Sequence, residues 1–290
     1  MKIHLEQGVA DHGQPVARQS LTIAGLSVEI LCRDYTLADS LTRRYQDFCS
    51  TGAADFTVRL EFLPGESQLS LHDLPLKFQH GGLTFDRPGC QGWIDPHGRQ
   101  AALIMRSAQP LVQVEYFLRL VYALLAYEAG GLLLHAAAVV QGERACVFIG
   151  RSGSGKSTVA RLARGNRVLN DDMVILIPGS KRWTVYATPF WNLPGSLIEI
   201  TRAMLGGIFS LVQDRRVFLD PLGIASGIAE MLACLPVVNA DPQRSEQLIQ
   251  RCQAVLAQTP CYRLHFLPEP SFWSLVFAAM EPNIEPAENG

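Results

Sequence analysis

Apolar positions change their period along this chain, and each change marks an element. Leu21, Ile23, Leu26, Val28 and Ile30 flank Gly25 at alternating spacing, which predicts a strand or hairpin pair over residues 20–32. Leu37, Leu41, Tyr45 and Phe48 share one face at helical spacing, so residues 37–48 read as a helix. Period two returns from Asp55, with Phe56, Val58, Leu60 and Phe62 on one side of a half-buried strand. Residues 68–105 hold short alternating segments separated by Gly81-Gly82, Pro88-Gly89 and Asp95-Pro96-His97-Gly98. That punctuation predicts antiparallel sheet with tight turns.

The pattern then lengthens. Leu111, Val114, Phe117, Leu118, Val121, Leu124 and Leu125 give residues 110–129 a broad apolar face, and Gly130-Gly131 stops the helix. A buried strand over residues 132–140, the turn Gln141-Gly142-Glu143 and a strand over residues 145–149 follow. A helix is expected over residues 157–164, short strands at 168–169, 173–177 and 183–187, and a turn at Thr188-Pro189-Phe190. The last third reads as helices over 224–235 and 245–259, a strand over 261–267 and a closing helix over 271–280. The Pro- and Glu-bearing tail, residues 281–290, is expected to be flexible.

Composition narrows the class. The chain has 290 residues, 48% of them apolar, with 25 basic and 27 acidic side chains for a net charge of -2. That is globular, and it lacks the basic field a nucleic-acid binder needs. The most apolar stretch, residues 118–140, is interrupted by Arg119, Glu128 and His135, so a helix followed by a strand is expected rather than a membrane span. No apolar run precedes residue 20, which argues against a secretory signal. Seven widely spaced cysteines without a C-x-x-C fit reduced, mostly buried thiols in a cytoplasmic protein. Homo-oligomerisation stays open. Trp183, Trp191 and Trp273 read as packing residues, and Arg215-Arg216 as a solvated turn, although an arginine there could touch phosphate.

The densest chemistry lies mid-chain. Gly150-Arg151-Ser152-Gly153-Ser154-Gly155-Lys156-Ser157-Thr158 fits G-x-x-x-x-G-K-[ST] position for position. Glycines let the backbone curl so that its N–H groups point at phosphate, where a Cβ would block the approach. The helix that follows adds further N–H groups. Lys156 can then reach the β and γ phosphates and Ser157 can ligate Mg²⁺. An apolar strand enters the loop and a helix leaves it, which a chance Gly/Ser linker would not offer. Gly150, Ser152, Gly153, Ser154, Gly155, Lys156, Ser157 and Thr158 are therefore the candidate nucleotide-binding residues, with ATP and Mg²⁺ as the ligands.

Downstream, Asp171 and Asp172 stand side by side. One could hold Mg²⁺ while the other takes a proton from an attacking hydroxyl. Mutual repulsion predicts a raised pKa in one of them unless metal or lysine intervenes. A turn or helix cap is the plainer use of Asn170-Asp171-Asp172. Upstream, His135 lies between Leu132-Leu133-Leu134 and Ala136-Ala137-Ala138. A lone histidine in such a strand is more often a satisfied core residue, yet its nearness to the loop also suits a hydrogen bond to phosphate or aspartate.

Taken together, the histidine in an apolar strand, the hairpin, the Gly-rich loop and the Asp-Asp pair resemble the catalytic domain of HPr kinase/phosphorylase. The shorter HPr-kinase-like proteins found beside peptide-modification genes are the nearer likeness. It is strong over residues 125–190 and weaker through Phe218-Leu219-Asp220-Pro221, Pro260-Cys261-Tyr262-Arg263-Leu264 and Ser271-Phe272-Trp273. The resemblance implies a mixed α/β, α+β-like fold: a P-loop-containing core shared with ATP-dependent phosphoenolpyruvate carboxykinase over residues 110–280, behind an N-terminal α+β region, residues 1–109, that could present substrate.

Carried over by motif, the resemblance gives Lys156 the phosphates and Ser157 the metal. It gives Asp171 and Asp172 the roles of base and metal carboxylate, with Asp172 as the metal ligand, and His135 an assisting role. Thr188-Pro189-Phe190 would lie near the nucleotide. The regulatory enzyme also carries a Glu-x-Arg-Gly segment. Here Glu199-Ile200-Thr201-Arg202 offers the glutamate without the Arg-Gly, and no C-terminal basic loop is recognisable, so phosphorolysis is not implied. The expected activity is ATP-dependent phosphorylation of a hydroxyl, serine first, on a peptide, small protein or small molecule. A P-loop ATPase and a non-catalytic nucleotide sensor partnering a peptide-modifying enzyme are the alternatives.

Overall fold

The computed structural model describes residues 16–65, 70–163, 165–192 and 202–280. The architecture is mixed α/β, in two compact units: Met1–Thr22 with Ser27–Phe117, and Ile23–Leu26 with Leu118–Gly290.

The first unit is built on a seven-stranded sheet. Its strands are β1 (Ala17–Ile23), β2 (Leu26–Cys32), β3 (Phe56–Phe62), β4 (Lys77–Gln79), β5 (Gly82–Arg87), β6 (Cys90–Asp95) and β7 (Gln100–Met105), in the order β1-β2-β3-β7-β6-β5-β4. Helix α1 (Tyr35–Tyr45) starts where the Asp34 carboxylate accepts the Leu37 N–H, and it buries Leu37, Leu41 and Tyr45 as its periodicity predicts. It supplies the crossover that parallel β2 and β3 require. The antiparallel expectation holds for β4 to β7. Outside the segment of that expectation, β3 pairs parallel with β7, Thr57 opposite Gln100. A pairing between strands that distant has no local signature for a turn-based reading to find.

Helix α2 (Pro110–Glu128) carries the chain from the first unit into the second. The second unit's strands are β8 (Leu132–Gln141), β9 (Arg144–Ile149), β10 (Arg167–Asn170), β11 (Met173–Pro178), β12 (Trp183–Ala187), β13 (Arg202–Gln213), β14 (Phe218–Pro221) and β15 (Cys261–Phe266). Strand β9 pairs with β8 and β13, β13 with β12, β12 with β11, and β11 with β8, so these strands close a ring. Most pairings are antiparallel, but β9, β13 and β15 run parallel side by side. Strand β13 escapes the sequence reading. Gly206-Gly207 interrupt its alternation, and a Cβ at Gly206 would lie 2.7 Å from the Met280 sulfur.

The remaining helices are α3 (Lys156–Arg161), α4 (Ile224–Leu232), α5 (Ser245–Leu256) and α6 (Trp273–Ala278). Phe148 stacks on Phe209 and meets Trp273 edge-on at 5.6 Å, with Val159, Phe266 and Phe272 in the same core. Each such ring, fully buried, contributes about 1.5–3 kcal/mol. The Trp273 indole donates to the Leu162 carbonyl at 2.6 Å, fixing the end of α3 three residues before the expected stop. Trp273 is thus a packing residue, as its sequence context suggests. All seven cysteines are unbridged. Among the described residues no helix is long and apolar enough to cross a membrane.

Candidate active site

Register assembles the site before any side chain is considered. Antiparallel pairing of β8 with β9 sets Ala136 opposite Ile149, the last residue before the Gly-rich loop. Pairing of β8 with β11 sets His135 opposite Met173, the residue after Asp172. The end of β9, His135 and Asp172 therefore meet at one edge of the sheet. The Ala136 N–H donates to the Asp172 carbonyl at 2.9 Å, and the His135 N–H to the Cys234 carbonyl at 2.8 Å.

The loop has a backbone that glycine alone satisfies at its two ends. At Gly150 φ is 151°, and a Cβ there would lie 2.6 Å from Ser154 Oγ. At Gly155 φ is 107°, and a Cβ would lie 2.7 Å from the Phe266 ring. Either clash, or the positive φ itself, would spread the loop. Gln213 Nε2 donates to the Gly153 carbonyl at 3.0 Å and ties the loop to the end of β13. Ser154 Oγ is buried without a hydrogen-bond partner. A buried hydroxyl left unpaired inside a glycine cradle fits an oxygen-rich ligand such as phosphate.

Lys156 is buried and turned onto its own loop, donating from Nζ to the carbonyls of Gly150 at 2.8 Å and Arg151 at 3.1 Å. Burial lowers its pKa, partly opposed by the nearby Cys234 thiol and Asp172 carboxylate. The charge is thus held in a low-dielectric place with weak compensation, which a bound polyphosphate would supply.

Asp172 is the centre of the arrangement. Its Oδ1 stands 3.0 Å from His135 Nε2 and its Oδ2 3.0 Å from Arg119 Nη1. Burial would raise its pKa, but the His135 hydrogen bond, Arg119 and Lys156 outweigh that and hold it below the ordinary carboxylate value. The expectation of a raised pKa at the pair excepted an intervening lysine or metal, and at Asp172 that exception applies: Arg119 and Lys156 face it. Asp171 is more deeply buried and accepts the Asn192 N–H at 2.9 Å, so the two carboxylates have separate partners.

Asn170 makes the turn that separates them. Its Oδ1 accepts the N–H groups of Asp172 and Met173, and its Nδ2 donates to the carbonyl and hydroxyl of Thr188. Thr188 in turn donates to the Met173 carbonyl at 2.7 Å. The 188–190 turn therefore braces the aspartates. The plain turn reading and the site reading of Asn170-Asp171-Asp172 are both realised, in different residues.

Sequence reasoning finds the Asn170 turn but misses Arg119, Cys234 and Gln213. Arg119 leaves a signal: one guanidinium in an otherwise apolar helix. The other two leave none, because their roles depend on pairings between distant segments. Ser152 and Gly153 are exposed and Ser157 and Thr158 half-buried. The Glu199-Ile200-Thr201 candidate lies outside the described residues, as does the 281–290 tail.

No family model matches the chain, and no curated protein matches it. Among solved structures, the Hpr(Ser) kinase/phosphatase from Coxiella burnetii is similar at 11% identity, covering 50% of this chain and 91% of that one, with a TM-score of 0.29. A likeness that distant does not assign this chain to that protein's family.

Among the described residues no three or more His, Cys, Asp or Glu side chains cluster as a metal cage. Mg²⁺ on a nucleotide needs only one or two protein ligands, because phosphates and waters complete its octahedron. Three of the thiols are poor nucleophiles: burial pushes Cys90 and Cys261 up to about 11 and Cys252 up to about 12.

Proposed function

We propose that this protein is an ATP-dependent kinase that transfers the γ-phosphoryl group to a hydroxyl, serine first, of a peptide, small protein or small molecule. One observation carries the reading: an aspartate fixed by His135 and Arg119 stands beside the end of β9 that feeds the Gly-rich loop, near enough to the loop lysine for their charges to interact. The loop motif and the resemblance of residues 125–190 to HPr-kinase catalytic domains support it.

The residues divide the work. The loop N–H groups, Ser154 and Lys156 bind the phosphates and offset the charge that develops as the γ-phosphoryl group leaves ADP. Ser157 and Asp172 would hold Mg²⁺, which when bound neutralises charge across the β and γ phosphates. An ionised Asp172 can only accept, so Nε2 of His135 donates to it and Nδ1 is the ring nitrogen left to face the acceptor hydroxyl. The acceptor's proton goes to Nδ1 as its oxygen bonds to γ-phosphorus and the bond to the β–γ bridging oxygen breaks. Asp172 keeps the ring in that tautomer and stabilises the imidazolium. Asp171 holds the 188–192 turn through Asn192. The N-terminal unit would present or select the substrate.

Labelled γ-phosphate tests this. Asp172→Asn should retain ATP binding and lose transfer by about 10²-fold or more. Label released only to water would favour the ATPase reading, and tight binding without turnover the sensor reading.

A further inference from the structure

The three parallel strands β9, β13 and β15 end at one edge, where they deliver Gly150–Gly155, Gln213–Asp214–Arg215 and Phe266–Pro268 respectively. A crevice of ≈ 630 Å³ opens there, lined by Gly155, Thr158, Gln213, Asp214, Arg215, Phe266 and Pro268. The crevice lies just beyond the carboxyl ends of these three parallel strands. It also has a definite place relative to the reacting groups. His135 lies in β8, which pairs with β9 on one side, and Asp172 immediately precedes β11, the strand beyond β8. Strands β13 and β15 flank β9 on the other. A triphosphate in the loop with its γ-phosphate toward Asp172 would send its nucleoside to the opposite side, into the crevice.

We propose that this crevice binds the nucleoside of a ribonucleoside triphosphate, with Asp214 accepting hydrogen bonds from the ribose hydroxyls and Arg215 lying against the base. This rests on reading the loop as a nucleotide site. Asp214 is fixed for the task from several directions. Its Oδ1 accepts the N–H of Arg215 at 2.6 Å and of Arg216 at 3.3 Å, and its Oδ2 meets His265 Nδ1 at 2.9 Å. His265 is itself held by Asp220 at 3.4 Å and stacked on Phe218 with ring centroids 4.1 Å apart. A carboxylate offers about four lone-pair directions, so a preorganised acceptor position remains. Arg215 is exposed, and among the described residues no ion pair holds it, which leaves its planar guanidinium to stack on a purine. Gln213, bonded to the Gly153 carbonyl, joins this wall to the loop.

Calorimetry on the full chain with Mg²⁺ tests the assignment, using ATP, 2′,3′-dideoxy-ATP and inorganic tripolyphosphate as probes. Wild type should bind ATP about tenfold tighter than the dideoxy analogue, the difference made by a hydroxyl bound to a charged acceptor. Asp214→Asn should shrink that gap to about twofold while changing tripolyphosphate affinity by no more than about twofold. Arg215→Ala should weaken both nucleotides together and leave tripolyphosphate alone. Equal wild-type affinity for ATP and the dideoxy analogue overturns the inference, and so does a gap that survives in Asp214→Asn. If wild type binds neither ATP nor tripolyphosphate, the kinase reading falls as well. If both bind and only the ribose gap is missing, the kinase reading stands without this one. The wild-type comparison needs no variant, so a poorly folding Asp214→Asn does not blunt it.

Discussion

Nε2 of His135 and Oδ1 of Asp172 lie 3.0 Å apart on neighbouring antiparallel strands, beside the mouth of the Gly-rich loop. The His135 side chain is 38% exposed and that of Asp172 only 8%. The histidine can therefore meet a substrate while the aspartate anchors it from below. Arg119 completes the chain of charge from the other oxygen.

Arg119 should prove a positioning residue. Arg119→Ala leaves Asp172 buried with one cationic partner fewer, and should cost about 2–3 kcal/mol of stability. The same change removes a group that depresses the Asp172 pKa, so the loss of rate that follows protonation of Asp172, which unfastens His135, should begin at higher pH. Urea unfolding and a pH–rate profile read the two effects separately. Arg119→Lys should recover part of each, whereas a purely structural role would leave the pH limb in place.

The pH dependence of stability has a definite sign. The folded pKa of Asp172 lies below the ordinary aspartate value. The stabilisation is therefore present above the unfolded value and is lost as pH falls through the folded one. The stability difference between wild type and Asp172→Asn should stay level from neutral pH down to the ordinary carboxylate range and shrink only below it. Denaturant titrations at several pH values check this.

Lys156 should show separation of function from stability. Burial lowers its pKa, so folding disfavours the charged form that phosphate binding needs. Lys156→Met should leave the unliganded protein within about 1 kcal/mol of wild type, because relief of the buried charge offsets the loss of its hydrogen bonds to the Gly150 and Arg151 carbonyls. Its melting temperature should no longer rise with added Mg²⁺ and ATP. Thermal unfolding with and without nucleotide gives both numbers.

Asn170 should matter as much as a core residue. It is fully buried and bonds to Asp172, Met173 and Thr188, so Asn170→Ala strands several buried backbone groups. A loss of about 2–4 kcal/mol is expected, together with lost catalysis as the turn carrying Asp172 relaxes. Far-UV spectra and urea midpoints distinguish this from unfolding.

The sequence made local features legible. Spacing alone placed α1, α2, α5 and the strands from β8 to β12 within a few residues, because burial of one face leaves a period. The loop was legible because phosphate chemistry constrains residue type at fixed spacing. Strand β13 was not, since its glycines answer to Met280 and Arg144, residues far away in sequence. For the same reason Arg119 looked like an interruption of an apolar helix until β11 brought Asp172 to it. Which of two adjacent aspartates faces the site is set by Asn170 and Thr188, and no spacing rule carries that.

The central claim is tested most directly with the full chain, Mg²⁺ and ATP labelled at the γ-phosphate, offered serine-containing peptides, free serine and small hydroxyl compounds. The account predicts label on a hydroxyl in wild type and its loss in Asp172→Asn, with ATP binding retained in both. Label appearing only as inorganic phosphate, or transfer undiminished in Asp172→Asn, would contradict it.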